Sequence, residues 1–161
     1  MSSLYGSLSI VQLLLSHPKL DINAGSKTAL CEACQLGNVA TVTCLLSHPN
    51  IDVNKGGNQS GTPLYISCVS GALSIVKLLL EKPAIDVNRG GFGFTPLYAA
   101  CEWNHSEVVR ELLLHPQIDV NKGNQLPIDV ACSNKFEYIA IRLMLAGSQL
   151  PRDPKHQEFI L

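Results

Sequence analysis

Residues 61–88 read GTPLYISCVSGALSIVKLLLEKPAIDVN, and the rest of the chain repeats this stretch with variations. Thr62 belongs to the residue types that cap helices, and Pro63 suits the first helical position, where a missing N–H is not needed. A helix is therefore predicted to begin at Pro63 and to end near Gly71, which tolerates the left-handed conformation. Apolar residues at helical spacing from Leu73 onward predict a second helix, which the next proline ends. The stretch is predicted to form a helical hairpin.

The same unit recurs along the chain at a nearly constant period. An Asp-(Ile/Val)-Asn tripeptide begins at Asp21, Asp52, Asp86 and Asp119, which gives steps of 31, 34 and 33 residues. A period of this length indicates a solenoid of stacked repeats. Because a helix pair this short cannot bury its apolar face alone, each repeat must pack against its neighbours.

These motifs resemble the ankyrin repeats. Thr-Pro-Leu-Tyr at residues 62–65 and 95–98 resembles the family's Thr-Pro-Leu-His opening. Ile-Val-Lys-Leu-Leu at residues 75–79 resembles its second helix, and Asp-Val-Asn at residues 86–88 resembles the tripeptide before its hairpin. The resemblance extends from residue 8 to about residue 147. It implies an all-α ankyrin-repeat solenoid of stacked helical hairpins with short β-hairpin connections, in right-angled L-shaped repeats with a concave face.

The chain departs from the family's pattern at two positions of the repeat. The histidine of the opening motif is replaced by Cys31, Tyr65, Tyr98 and Asp129. The family's buried hydrogen bond from that imidazole must therefore be made differently here. The glycine after the second helix is replaced by Pro18, Pro49, Pro83 and Pro116. This helix end is therefore expected to be capped in another way.

The repeats predict one ankyrin-repeat domain over residues 1–161. Its parts are a partial N-terminal repeat at 1–27, complete repeats at about 28–61, 62–94, 95–125 and 126–148, and a tail at 149–161. The partial repeat aligns with a second helix, so its first helix is missing. The face of Leu8, Val11 and Leu15 is expected to be left open and to drive weak self-association or fraying of the N-terminal helix. The proline-containing tail is expected to be frayed.

Composition and charge argue against several classes of partner. The chain has 161 residues, a net charge of −1 and 12 basic residues that are scattered rather than clustered, which argues against nucleic-acid binding. The apolar run at residues 8–15 is too short to span a bilayer, and it lacks the features of a secretory signal. We expect no nucleic-acid or membrane partner. The expected location is the cytoplasm, with the nucleus as the alternative.

The cysteines, histidines and Asp-Val-Asn tripeptides are expected to be structural. Cys34, Cys68, Cys101 and Cys132 share one position of successive repeats, and stacked helices are too far apart for disulfides between them. The Cys31–Cys34 pair lacks the further ligands that a structural zinc site needs. Three histidines recur at the end of the second helix, where an imidazolium interacts favourably with the helix dipole: His17, His48 and His115. The tripeptide asparagines are expected to bond the hairpin backbone.

Neither catalysis nor a cofactor is expected. No serine or cysteine nucleophile is paired with an oriented base in the sequence, and the Gly-Gly pairs match no phosphate-binding loop. We therefore predict a non-catalytic protein–protein interaction module, a scaffold or adaptor that binds a protein partner on its concave face. The alternative is a structural spacer or targeting segment of a larger multidomain protein or enzyme.

The resemblance also implies where a partner binds. In the family, two residues at the end of each first helix, together with the hairpin tip, face the concave surface. By position these are Gln35 and Leu36, Val69 and Ser70, Glu102 and Trp103, and Ser133 and Asn134. The predicted partner-binding residues are Phe92, Phe94, Trp103, Glu102, Arg89, Val69, Leu36 and Gln59. Aromatic residues are enriched in binding hot spots, although Trp103 could instead cover the gap between repeats and Phe94 could pack beneath its loop.

Overall fold

The computed structural model describes residues 2–17, 19–25, 27–56 and 61–157, with the backbone alone for residues 2–8. Within these ranges the chain forms ten α-helices. They are α1 (Ser2–Leu15), α2 (Ala29–Gln35), α3 (Val39–Leu46), α4 (Pro63–Val69), α5 (Leu73–Leu80), α6 (Pro96–Glu102), α7 (Ser106–Leu113), α8 (Pro127–Ser133), α9 (Glu137–Leu145) and α10 (Pro154–Gln157). The predicted all-α class and the helical hairpin of residues 61–88 are confirmed.

The ends of α4 follow from its terminal residues. The Thr62 hydroxyl oxygen accepts a hydrogen bond from the Tyr65 backbone N–H at 3.2 Å, which satisfies one of the free donors of the first turn. The same hydroxyl donates to the Arg89 carbonyl at 2.8 Å, so the cap also ties α4 to the next repeat. After the helix, Gly71 adopts a φ of 67°, the left-handed conformation that stops α-helices.

The helices pack in two layers. The first helices of the repeats, α2, α4, α6 and α8, stack on one another, and so do the second helices α1, α3, α5, α7 and α9. Leu64 on α4 and Leu79 on α5 are fully buried between the layers. Burial of each such side chain stabilises the fold by about 1.5–3 kcal/mol. The core therefore continues along the array instead of closing within one repeat.

The asparagine of each tripeptide bridges two repeats. Asn54 donates from Nδ2 to the Ala84 carbonyl at 2.6 Å and accepts at Oδ1 from the Asp86 N–H at 2.8 Å. The same pair of bonds recurs at Asn23, Asn88 and Asn121. The prediction that these asparagines bond the hairpin backbone is wrong, because Ala84 and Asp86 precede the hairpin. Asp52 closes the turn of its own tripeptide by accepting from the Asn54 N–H at 2.9 Å, which leaves the Asn54 amide for the neighbouring repeat.

The recurrent histidines close the turn that follows each second helix. His48 accepts at Nδ1 from the Asn50 N–H at 3.2 Å, and His17 and His115 do the same. Pro49 has no N–H, so the next residue supplies the donor. The contact nitrogen must be unprotonated to accept. The imidazole therefore closes the turn beyond the helix and does not itself bond the helix-end carbonyls in this contact, and the interaction of an imidazolium with the helix dipole stays a prediction.

The N-terminal helix differs from the prediction in which face it exposes. Val11 and Leu15 pack against the core, and α1 lies on α3. The Leu8 side chain lies outside the described part of the chain. The exposed apolar residues of α1 are Ile10, Leu13 and Leu14, with exposed fractions of 60%, 72% and 55%. Weak self-association through this repeat stays a prediction, but its surface is Ile10, Leu13 and Leu14.

The expectation of a frayed tail is wrong for residues 149–157. Pro151 is buried, and α10 packs against α8. The Asp129 carboxylate accepts from the Arg152 backbone N–H at 2.8 Å and lies 3.7 Å from the Arg152 Nε. These contacts hold the tail against the last repeat, where a further repeat would otherwise stack.

Candidate functional site

A groove of about 420 Å³ opens along the first-helix layer. It lies across α2, α4 and α6 and reaches the hairpin before α6. Its lining residues are Gln35, Tyr65, Ile66, Val69, Ser70, Phe92, Glu102 and Trp103. Three successive repeats therefore build one surface.

A tight turn carries Phe92 to the groove. Gly91 and Phe94 exchange two backbone hydrogen bonds, of 3.1 and 2.9 Å, in the one isolated β-bridge found among the described residues. The predicted β-hairpin connection is thus reduced here to a single bridge. Phe92 and Gly93 between them have φ values of 56° and 83°, and positive φ at both central positions is typical of a type I′ turn. This conformation costs a bulky residue about 1–3 kcal/mol, yet the Phe92 side chain is 65% exposed.

Tyr65 lines the groove because the residue that would cover its ring is a glycine. In the following repeat, Phe94 stacks on Tyr98 with ring centroids 4.6 Å apart. Tyr98 is buried and donates to Gln125 Oε1 at 2.8 Å. Gly61 occupies the position of Phe94 one repeat earlier. The half-buried Tyr65 ring therefore lies against the Gly61 backbone and lines the groove.

The C-terminal end of α6 supplies the opposite wall. Trp103 is the C-cap residue, and its backbone N–H donates to the Ala99 carbonyl at 3.2 Å. Its side chain projects beyond the last helical turn and is 58% exposed. Glu102, the last residue of α6, is also exposed. A large ring and a carboxylate thus stand side by side at the rim.

Glu102 places a carboxylate in the groove lining. Burial, and next the charge of Glu102, raises the pKa of the Tyr65 phenol. At the far end, Lys27 lies 2.5 Å from the Glu32 carboxylate and donates to Gln35 Oε1, so its charge is already compensated. Within the described ranges no Lys or Arg forms an ion pair with Glu102.

A family model described as ankyrin repeats (3 copies) matches residues 1–91 and 85–153. The chain belongs to the ankyrin-repeat family. A comparison with curated proteins finds no match. Ankyrin repeats are generally protein–protein interaction modules, and ankyrin-repeat domains are typically non-catalytic.

The ankyrin fold brings four of the predicted partner-binding residues together. Phe92, Trp103, Glu102 and Val69 all line the groove. Their role in binding stays a prediction.

Of the other four predicted residues, the three that the structure describes do not line the groove. Phe94 is half-buried over Tyr98, which matches the packing alternative. Leu36 is 72% exposed but is not part of the groove lining. Arg89 is exposed on the loop before the hairpin. Gln59 lies outside the described residues.

Two groove residues, Tyr65 and Ile66, were not predicted from the sequence, and Tyr65 is the more exposed of them. The sequence marks Tyr65 only as a replacement for the family's histidine. The equivalent residue of the next repeat, Tyr98, is buried. The available signal was Gly61, which stands where the next repeat has Phe94. A ring that covers the tyrosine is therefore absent from the repeat of Tyr65 and present in the repeat of Tyr98.

The cysteines lie apart from the groove. All six, each in a described range, are free thiols, as predicted. Burial raises the pKa of Cys34 from its ordinary value of 9.0 to about 12, and burial raises the pKa of Cys68 and Cys101 as well. Such thiols are poor nucleophiles because the thiolate is the reactive form. No group of three His, Cys, Asp or Glu residues among those described is placed to hold a metal ion.

No helix in the described part of the chain is long and apolar enough to cross a membrane.

Proposed function

We propose that the protein is a non-catalytic module that binds a segment of a partner protein in the groove between its central ankyrin repeats. The observation that supports this most directly is the exposure of two large aromatic residues, Phe92 and Trp103, on one groove. Clustered exposed aromatic residues are unusual on a protein without a partner, and such residues dominate binding energies.

The strained turn at Phe92 supports the proposal independently. Asn or Gly would adopt the positive φ of this position more easily than Phe. The mostly exposed Phe92 ring gains little from packing, so folding does not explain a phenylalanine here. A strained residue beside a groove is a candidate for a binding role.

The groove is also held in place before any partner arrives. The Gly93 carbonyl accepts from the Asn124 N–H at 3.1 Å, which anchors the turn to the following repeat. Gly91 lies so close to Gly61 that a side chain on either would meet the other's backbone. A preorganised surface loses little conformational entropy on binding.

The proposal is tested with peptides selected from a random library on the immobilised protein. We expect Trp103→Ala to weaken the selected peptides by about 2 kcal/mol or more and to lower the unfolding free energy by less than about 1 kcal/mol. Phe92→Asn should also weaken binding, while leaving stability unchanged or slightly higher because Asn suits the turn. Isothermal titration and urea denaturation measure the two effects.

Tyr138→Ala is the matched control, because Tyr138 is an aromatic residue 49% exposed on α9, away from the groove. It should leave peptide affinity unchanged. The proposal fails if Trp103→Ala retains full affinity while stability falls by about 3 kcal/mol or more, the cost of truncating a packed core aromatic.

We further propose that the protein works in the cytoplasm. Six free thiols agree with a reducing compartment, where disulfides are rare. A labelled full-length chain expressed in its native cells, followed by fractionation, checks this location.

A further inference from the structure

The groove combines aromatic rings with one acidic side chain. Tyr65, Phe92 and Trp103 supply rings, and Glu102 supplies a carboxylate beside them. The face of an aromatic ring attracts cations through its quadrupole, and tryptophan does so most strongly. A carboxylate adds a direct charge interaction, which is stronger where aromatic rings exclude water.

The protein does not itself neutralise this carboxylate. Within the described ranges Glu102 has no basic ion-pair partner, and Arg89 is not part of the groove lining. Lys27, which donates to the groove residue Gln35, is paired with Glu32. The Tyr65 hydroxyl has no hydrogen-bond partner among the described residues, so it is available to a ligand as well.

We propose that the groove recognises a positively charged side chain, Lys or Arg, in an extended segment of the partner. Its alkyl stem lies on Val69 and the aromatic rings, and its charged end meets Glu102. This inference rests on the proposed binding function and specifies the partner's chemistry.

The charge distribution disfavours other occupants. An apolar side chain that filled the groove would remove water from Glu102 without providing a counter-charge, which is unfavourable. An acidic side chain would meet Glu102 with the same sign of charge. A basic side chain uses both the rings and the carboxylate.

The single tryptophan makes the groove directly observable. Trp103 is the only tryptophan of the chain, so the indole N–H resonance in a ¹H–¹⁵N spectrum reports on this site alone. The probes are blocked pentapeptides, acetyl-Ala-Ala-Xaa-Ala-Ala-amide, in which Xaa is Arg, Lys, citrulline or norleucine. Citrulline and norleucine are uncharged analogues of similar shape.

We expect the Arg and Lys peptides to shift the Trp103 resonance saturably and to bind about tenfold more tightly than their uncharged analogues. Comparison of Arg with Lys identifies which cation is preferred. Glu102→Gln should remove the advantage of the charged peptides. Glu137→Gln, which makes the same change of charge at an exposed position on α9, should leave it intact.

Equal binding of charged and uncharged peptides would overturn this inference, as would an unchanged preference in Glu102→Gln. Either result leaves the proposed function standing, because Trp103 would still report an occupied groove. A Trp103 resonance that none of the four peptides shifts also overturns the inference. The proposed function falls only if library-selected peptides bind independently of Trp103.

Discussion

Two apolar surfaces are exposed in this protein, one in the groove and one on α1, and they are exposed for different reasons. On α1, Ile10 and Leu14 align with Ile75 and Leu79 of α5, which are 1% and 0% exposed. In α5 these positions face α4, the first helix of the same repeat. No described helix fills that place beside α1, so the face lies open.

The groove is open because of where its residues stand in the repeat. Trp103 follows the end of a first helix, and the equivalent residues of the other complete repeats are exposed too: Leu36, Ser70 and Asn134. No helix of the stack covers this position. Exposure in a repeat protein is therefore best judged against the same position of the neighbouring repeat. By that standard, the α1 face is exposed because no described first helix packs beside it. The Trp103 position of the groove is exposed in every complete repeat.

The largest expected effect is the difference in unfolding free energy between equivalent leucine truncations on α5 and α1. Leu79→Ala should lower the unfolding free energy by about 3 kcal/mol or more, because a buried leucine leaves a cavity. Leu14→Ala, at the equivalent position of α1, should change it by about 0.5 kcal/mol or less. Urea denaturation followed by circular dichroism measures both. Similar losses in the two variants would mean that a further segment covers α1.

A smaller effect is expected on the unfolding free energy at alkaline pH, through the buried thiol of Cys34. The pKa of Cys34 is raised from 9.0 to about 12 in the folded chain, so folding favours the neutral thiol. Its contribution to stability is fully present below pH 9 and is lost as the pH rises towards 12. The slope is about 1.4 kcal/mol per pH unit for each such thiol. Cys34→Ala should reduce the slope of unfolding free energy against pH above 9.

Cys44→Ala provides the matched control for this slope, because Cys44 is only half-buried. Other groups also titrate in this pH range, so the comparison between variants isolates the buried thiol. Equal slopes for Cys34→Ala and the unchanged protein would show that this thiol ionises equally easily in both states.

The smallest expected effect is weak self-association through Ile10, Leu13 and Leu14. A dissociation constant of about 1 mM, or about −4 kcal/mol, is expected for so small a surface. Leu13→Glu should abolish it, whereas Ile141→Glu, at an exposed apolar position of α9, should leave it unchanged. Sedimentation equilibrium distinguishes the variants. If the self-association instead depends on Trp103, the contact surface is the groove and not α1.

The features that the sequence predicted correctly depend on residues close together in the chain. The cap of α4 joins Thr62 to Tyr65, and the stop at Gly71 follows from the conformation of one residue. The recurrence of these signals every 31 to 34 residues was sufficient to predict stacked hairpins. Six residues of the groove lining were also predicted to face the concave surface or the partner, since each lies at a defined position of the repeat: Gln35, Val69, Ser70, Phe92, Glu102 and Trp103.

Only the tertiary structure decided the features that join different repeats. Asn54 bonds to Ala84 and Asp86, and the tail docks through Arg152 on Asp129. The sequence shows which groups can form hydrogen bonds, but the partner depends on how the next repeat is placed. The two tyrosines, Tyr65 and Tyr98, share the Thr-Pro-Leu-Tyr motif but follow Gly61 and Phe94, respectively. The sequence shows this difference, and only the structure shows that the Phe94 ring stacks on Tyr98 while the Tyr65 ring is left open to the groove.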